Sequence, residues 1–208
     1  MNIGFSGCSF TYGSELNNHE ENRWSRLVCD ALGAKELNYG YPGASNDEIC
    51  KKTFEATQES NHDFFVIQIT SSIRFSVALG GEPQSVGPLQ KNKNEFSNLL
   101  SKLFFSKYEQ SDELVWQNLM RWKIICLHHY LNSINTKHMF VFLNDSDRLY
   151  MKNNTLSTGS FKNVCSNIAL AEYCFVSGFP LGPNKHPLET GHQFIAKDVV
   201  LPKLKELL

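Results

Sequence analysis

A chain of 208 residues, 41% hydrophobic and 12% aromatic, fits one domain with enough apolar side chains for a substantial core. Its 20 Lys and Arg against 21 Asp and Glu leave a formal charge of −1 with no basic run; this lacks the electrostatic footprint of phosphate-backbone binding, so no nucleic-acid partner is expected. No stretch reaches the roughly 20 apolar residues of a membrane span, no charged leader precedes a long apolar run, and the six cysteines show no Cys-x-x-Cys spacing. These features predict a cytoplasmic protein with reduced thiols, no signal peptide and no membrane association.

In chain order, Asn2 to Cys8 reads as a short buried strand that runs into Gly7-Cys8-Ser9-Phe10-Thr11-Tyr12-Gly13. A strand ending in a glycine-flanked serine puts that hydroxyl on a tight strand-to-helix turn at a sheet edge, which makes Ser9 a candidate nucleophile. A helix over Asn22 to Leu32, closed by Gly33, is followed by a strand over Glu36 to Tyr39. The loop Asn38-Tyr39-Gly40-Tyr41-Pro42-Gly43-Ala44-Ser45-Asn46 then leads to a helix over about Asp47 to Glu59, capped by Ser45 or Asn46. Asp63 to Thr70 is the clearest strand, and strand-then-helix units in series predict a parallel, doubly wound sheet.

Between Phe75 and Ser111 the pattern breaks down into Gly80-Gly81, Pro83, Pro88 and a polar run, which reads as an insertion covering the active-site edge. Asp112 to Asn135 carries a wide apolar stripe that includes Trp116 and Trp122, expected of a long packed helix, and His138 to Leu143 is a fourth strand. A short helix is expected around Val164 to Tyr173. The last helix should begin at Leu188 or Glu189 and be kinked or restarted by Pro202.

A serine hydroxyl is a weak nucleophile until a neighbouring base takes its proton. The candidate base lies at the far end of the chain, in the Gly/Pro-rich loop Lys185-His186-Pro187-Leu188-Glu189-Thr190-Gly191-His192. Taken alone, Ser9 also reads as a turn or cap residue, and His186 as a helix-entry residue. His192 reads as packed or capping. A cysteine-phosphatase reading of Cys8 fails because Ser14 stands where that chemistry needs an arginine. The Walker ending is absent, and His128-His129 and His138 lack metal-ligand spacing, so no metal or cofactor is expected.

In their order, Gly7-Cys8-Ser9, Asn38 to Gly43, and His186 ahead of the last helix resemble the sequence blocks of the SGNH hydrolases, the GDSL esterase/lipase superfamily. The Gly-Cys-Ser-Phe-Thr start, the Gly-Ala-Ser-Asn element at 43–46 and the long helix look most like a divergent SGNH-like group frequent in bacteriophage genomes. The resemblance implies a three-layer α/β/α fold with four or five parallel strands, in a single domain. It also implies ester hydrolysis on a small molecule or carbohydrate, with Ser9 as nucleophile, His186 as base, and an oxyanion site from Ser9, Gly43 and Ser72. Asn46, Thr70 and Arg74 are candidate substrate contacts.

Three departures accompany it: Cys8 replaces the family's aspartate, Thr70-Ser71-Ser72-Ile73 stands where an asparagine donor belongs, with Thr70 or Ser72 as a weaker donor in its place, and Pro183 occupies the place of the aspartate three residues before the histidine. Asn184, Asp145 and Asp147 are the candidates for orienting the imidazole. The runner-up expectation is a non-catalytic descendant, a binding or virion-associated module on the same fold.

Overall fold

The computed structural model describes residues 1–79, 82–86, 99, 110–154 and 165–208. The first half comprises β1 (Asn2–Ser6), the single turn α1 (Ser9–Tyr12), α2 (His19–Asn22), α3 (Trp24–Leu32), β2 (Lys35–Asn38), α4 (Asn46–Glu59) and β3 (Phe64–Ile69). A hairpin, β4 (Phe75–Leu79) with β5 (Glu82–Val86), separates it from α5 (Gln110–Ser133), β6 (Lys137–Phe142), α6 (Asp145–Asn154) and α7 (Leu170–Val176). The tail is α8 (Glu189–Phe194), a π-helical stretch over Ile195–Val200, and α9 (Leu201–Leu207).

The strands β2-β1-β3-β6 form one parallel sheet in that order. Its centre is β3, in which every residue is buried and Phe64 to Ile67 are wholly apolar, as a strand covered on both faces requires. Phe5 of β1, Phe140 and Phe142 of β6 and Ile124 of α5 join the same core; full burial of each such side chain stabilises the fold by roughly 1.5–3 kcal/mol. Beyond β6 the chain makes one more parallel bridge, Phe140 to Cys165, where a fifth strand would lie.

Local chemistry explains the boundaries. Ser45 caps α4 in a reciprocal box with Glu48, whose carboxylate accepts from the Ser45 N–H at 2.8 Å, so the helix begins at Asn46. Pro202 has no N–H for the carbonyl four residues back; the widened turn ends just before it and α9 restarts with the proline in its first turn.

Several expectations are corrected. A helix, α6, was not anticipated, and the helix expected from Val164 starts at Leu170; of the expected insertion over 75–111 the hairpin and the start of α5 are described, while 80–81 and 87–109 apart from 99 lie outside the described residues. On α5 the core-facing residues are Met120, Ile124, Leu127 and Leu131, whereas Trp122 is 60% exposed and Trp116 stacks on Phe75 at 5.0 Å. The six thiols are all free of disulfides, with Cys126 at the surface.

Candidate active site

The carboxyl ends of β1 and β3 lie side by side, with Ser6 opposite Ile67, so the turns that leave them share one sheet edge. The turn after β1 is held from below by the wholly buried Gln68. Its Oε1 accepts from the Cys8 N–H at 3.0 Å, the Cys8 thiol at 3.3 Å and the Thr11 hydroxyl at 3.0 Å. Ser9 follows as the first residue of α1, almost fully buried, with its Oγ 3.8 Å from Cys8 Sγ. On the other side, the Trp24 indole N–H donates to the Phe10 carbonyl at 3.0 Å, and the Asn38 amide donates to the Thr11 carbonyl at 3.0 Å.

The tail loop docks on this turn. The His186 ring meets the Phe10 ring edge-on at 5.7 Å, one residue past Ser9. Its Nδ1 lies 2.8 Å from Glu15 Oε2, a carboxylate 171 positions away in sequence and part-buried with it. Glu15 also accepts from the backbone N–H groups of Asn184 and His186 and from the Asn184 side chain. Burial raises the Glu15 carboxyl, but these donors together hold it below the usual carboxylate range. Asn184 therefore serves the carboxylate, not the ring. His192, one turn into α8 and fully buried, accepts the Trp24 N–H on Nδ1 at 3.1 Å and so caps α3; burial, then the nearby His186, pushes its pKa down to about 3.

The loop after β3 forms the second wall. Asn46 is buried and clasps it: its Oδ1 accepts the Thr70 N–H at 2.9 Å and its Nδ2 donates to the Thr70 carbonyl at 3.0 Å. The Thr70 hydroxyl is buried with no hydrogen-bond partner among the described residues. Ser72 gives its N–H to Asp147 Oδ2 at 2.9 Å, and its hydroxyl bonds the same carboxylate. Burial raises the Asp147 carboxyl, against the lowering by Ser72 and Gln117. Arg74 reaches back to the Ala44 carbonyl at 3.2 Å, and Gly43 completes the Tyr41–Ala44 turn with a left-handed backbone, φ 84.

The structure thus places Ser9, Gly43, Asn46, Thr70, Ser72 and Arg74 in the turns that leave one sheet edge, and docks the loop of His186 on the first of these turns through Phe10 and Glu15. It gives other duties to several of them. Asp147 holds the loop at Ser72 and Asp145 pairs with Arg148 at 2.6 Å, so neither orients His186, and Ser72 has its donors turned to Asp147. Asn46 and Arg74 support backbone. Glu15, in the turn that follows α1, was invisible to sequence reasoning because its partner is at the opposite end of the chain. Among the described residues no group of three His, Cys, Asp or Glu could hold a metal ion.

No family model and no curated protein matches the chain. Solved structures do. A member of the lipolytic protein G-D-S-L family from Veillonella parvula is similar over 100% of this chain and 98% of its own, at 13% identity and a TM-score of 0.57. The psychrotrophic esterase EstA from Pseudoalteromonas, in a structure inhibited by monoethylphosphonate, is similar over 99% and 95% at 11% identity and a TM-score of 0.57. Axe2, an acetylxylan esterase from Geobacillus stearothermophilus, is similar over 94% and 90% at 12% identity and a TM-score of 0.56. The fold of this chain is therefore that of the SGNH, or GDSL, hydrolases.

Proposed function

We propose that the protein hydrolyses a carboxylic ester on a small molecule or a carbohydrate, with Ser9 as nucleophile and His186 as general base and acid. The observation that carries this reading is the docking of the tail loop on the turn that begins at Ser9, with the His186 imidazole packed on Phe10. In this mechanism His186 takes the proton of the Ser9 hydroxyl as Oγ attacks the ester carbonyl. It returns the proton to the departing alcohol, and water then repeats the sequence on the acyl-enzyme. The Ser9 N–H and the buried Thr70 hydroxyl face the developing oxyanion in this reading, Thr70 being chosen over Ser72 because the Ser72 donors are turned to Asp147. Each donor of this kind contributes roughly 3 kcal/mol to lowering the barrier. The esterase names of the structural neighbours support the reaction class, and the acetylxylan esterase among them supports a carbohydrate ester.

The test is labelling by a fluorophosphonate, read by mass spectrometry, beside release of p-nitrophenol from p-nitrophenyl acetate. The expected result is one adduct on Ser9, lost together with esterase activity in Ser9→Ala. A folded parent protein that takes no label and turns over no ester would sink this reading and favour a binding module on the same fold.

A further inference from the structure

We propose that Glu15 is the positioning residue of His186, supplying from the head of the chain the carboxylate that the tail loop lacks at Pro183. The proposal rests on the Ser9–His186 reading above for its catalytic meaning, while its geometry stands independently of it. An ionised carboxylate only accepts hydrogen bonds, so its 2.8 Å contact with Nδ1 places the ring proton there. The Nε2 lone pair is then available to take a proton, which is the tautomer a general base needs.

The contact is built from both sides. Glu15 sits in the left-handed region at φ 70 and Lys185, beside His186, at φ 66, uncommon conformations for residues with long side chains. The carboxylate is held beside the ring by the Asn184 N–H at 3.0 Å and the Asn184 amide at 3.0 Å. Gly182 leaves the space this grip needs, because a Cβ there would come within 2.7 Å of the Glu15 carboxyl. A glutamate serving only as a surface residue has no use for three N–H donors and a glycine arranged around its head group.

The experiment pairs the rate of fluorophosphonate labelling with 15N NMR of the histidine rings in the parent, Glu15→Gln and Glu15→Asp. We expect Glu15→Gln to lose labelling rate by about 10³- to 10⁴-fold, and the neutral His186 ring to lose its uniform Nδ1–H tautomer. Glu15→Asp, which keeps a carboxylate, should restore much of both. An unchanged tautomer and an unchanged labelling rate in folded Glu15→Gln would overturn the proposal. If the parent itself takes no label, the Ser9 reading fails, yet the tautomer comparison still decides whether Glu15 positions the ring. Should Glu15→Gln not fold, Gly182→Ala crowds the carboxylate without removing it. Loss of the Nδ1–H tautomer is expected there too, and its retention would overturn the proposal.

Discussion

Gln68 shows how one buried amide can define the turn on which a nucleophile would sit. A backbone N–H only donates, so the atom facing the Cys8 N–H at 3.0 Å is the amide oxygen, and the same oxygen takes the Cys8 thiol and the Thr11 hydroxyl. This arrangement gives a physical reason for cysteine in place of the aspartate that the family motif carries. A carboxylate at position 8 would face that oxygen at close range in a buried site, where like partial charges repel strongly. Gln68→Leu conserves bulk but leaves the Cys8 N–H and the Thr11 hydroxyl buried without an acceptor, each costing roughly 1–3 kcal/mol. The melting temperature should then fall by about 5–15 °C. Thermal unfolding followed by circular dichroism measures it, and a fall of only about a degree would show that water or a rearranged turn satisfies both donors.

At the scale of elements, α3 acts as a strut between head and tail. Trp24, its first residue, is fully buried, lies edge-on to Phe5 at 5.4 Å, donates its indole N–H to the Phe10 carbonyl and gives its backbone N–H to His192 of α8. Trp24→Phe keeps an aromatic ring against Phe5 but strands the Phe10 carbonyl; a loss of about 1–2 kcal/mol is expected in urea unfolding, with slower fluorophosphonate labelling of Ser9. Normal labelling with reduced stability would show that α1 keeps its place without this bond. The central strands were legible in the sequence because a strand buried on both faces is a short, nearly continuous apolar run, as Phe64 to Ile67 is before Gln68 interrupts it. The turn after β1 and the tail loop were legible as motifs. By contrast, α6 buries only Asp147 and Met151, so it carries no apolar stripe to read, and its buried carboxylate serves Ser72 instead of His186. The Glu15–His186 contact left no local trace at all, since only the folded chain makes residues 171 apart neighbours.

For the whole molecule, the buried imidazoles make stability depend on acid. His138 Nδ1 lies 2.9 Å from the Thr136 carbonyl and must donate to it, so its Nε2 accepts from His128 Nδ1 at 2.8 Å, and His128 Nε2 in turn accepts from the Asn132 amide at 3.1 Å. That chain of bonds needs both rings neutral. Burial first, and the neighbouring imidazoles second, push the His128 pKa down to about 4, while burial lowers that of His138. On the other side of the sheet His192 is pushed down to about 3. Between the ordinary histidine value of 6.5 and these lowered values the unfolded chain binds protons that the folded chain refuses, so stability falls as pH falls through that window. Each such group adds a slope of up to about 1.4 kcal/mol per pH unit. His128→Gln can still bridge His138 and Asn132 through its amide but does not titrate. Urea unfolding at a series of pH values from 6.5 to 4 should therefore show a clearly shallower loss of stability in the variant than in the parent. Identical slopes would mean that His128 carries the same charge in the folded and unfolded chain and that its contact with His138 survives protonation, contrary to the bond pattern of the two rings.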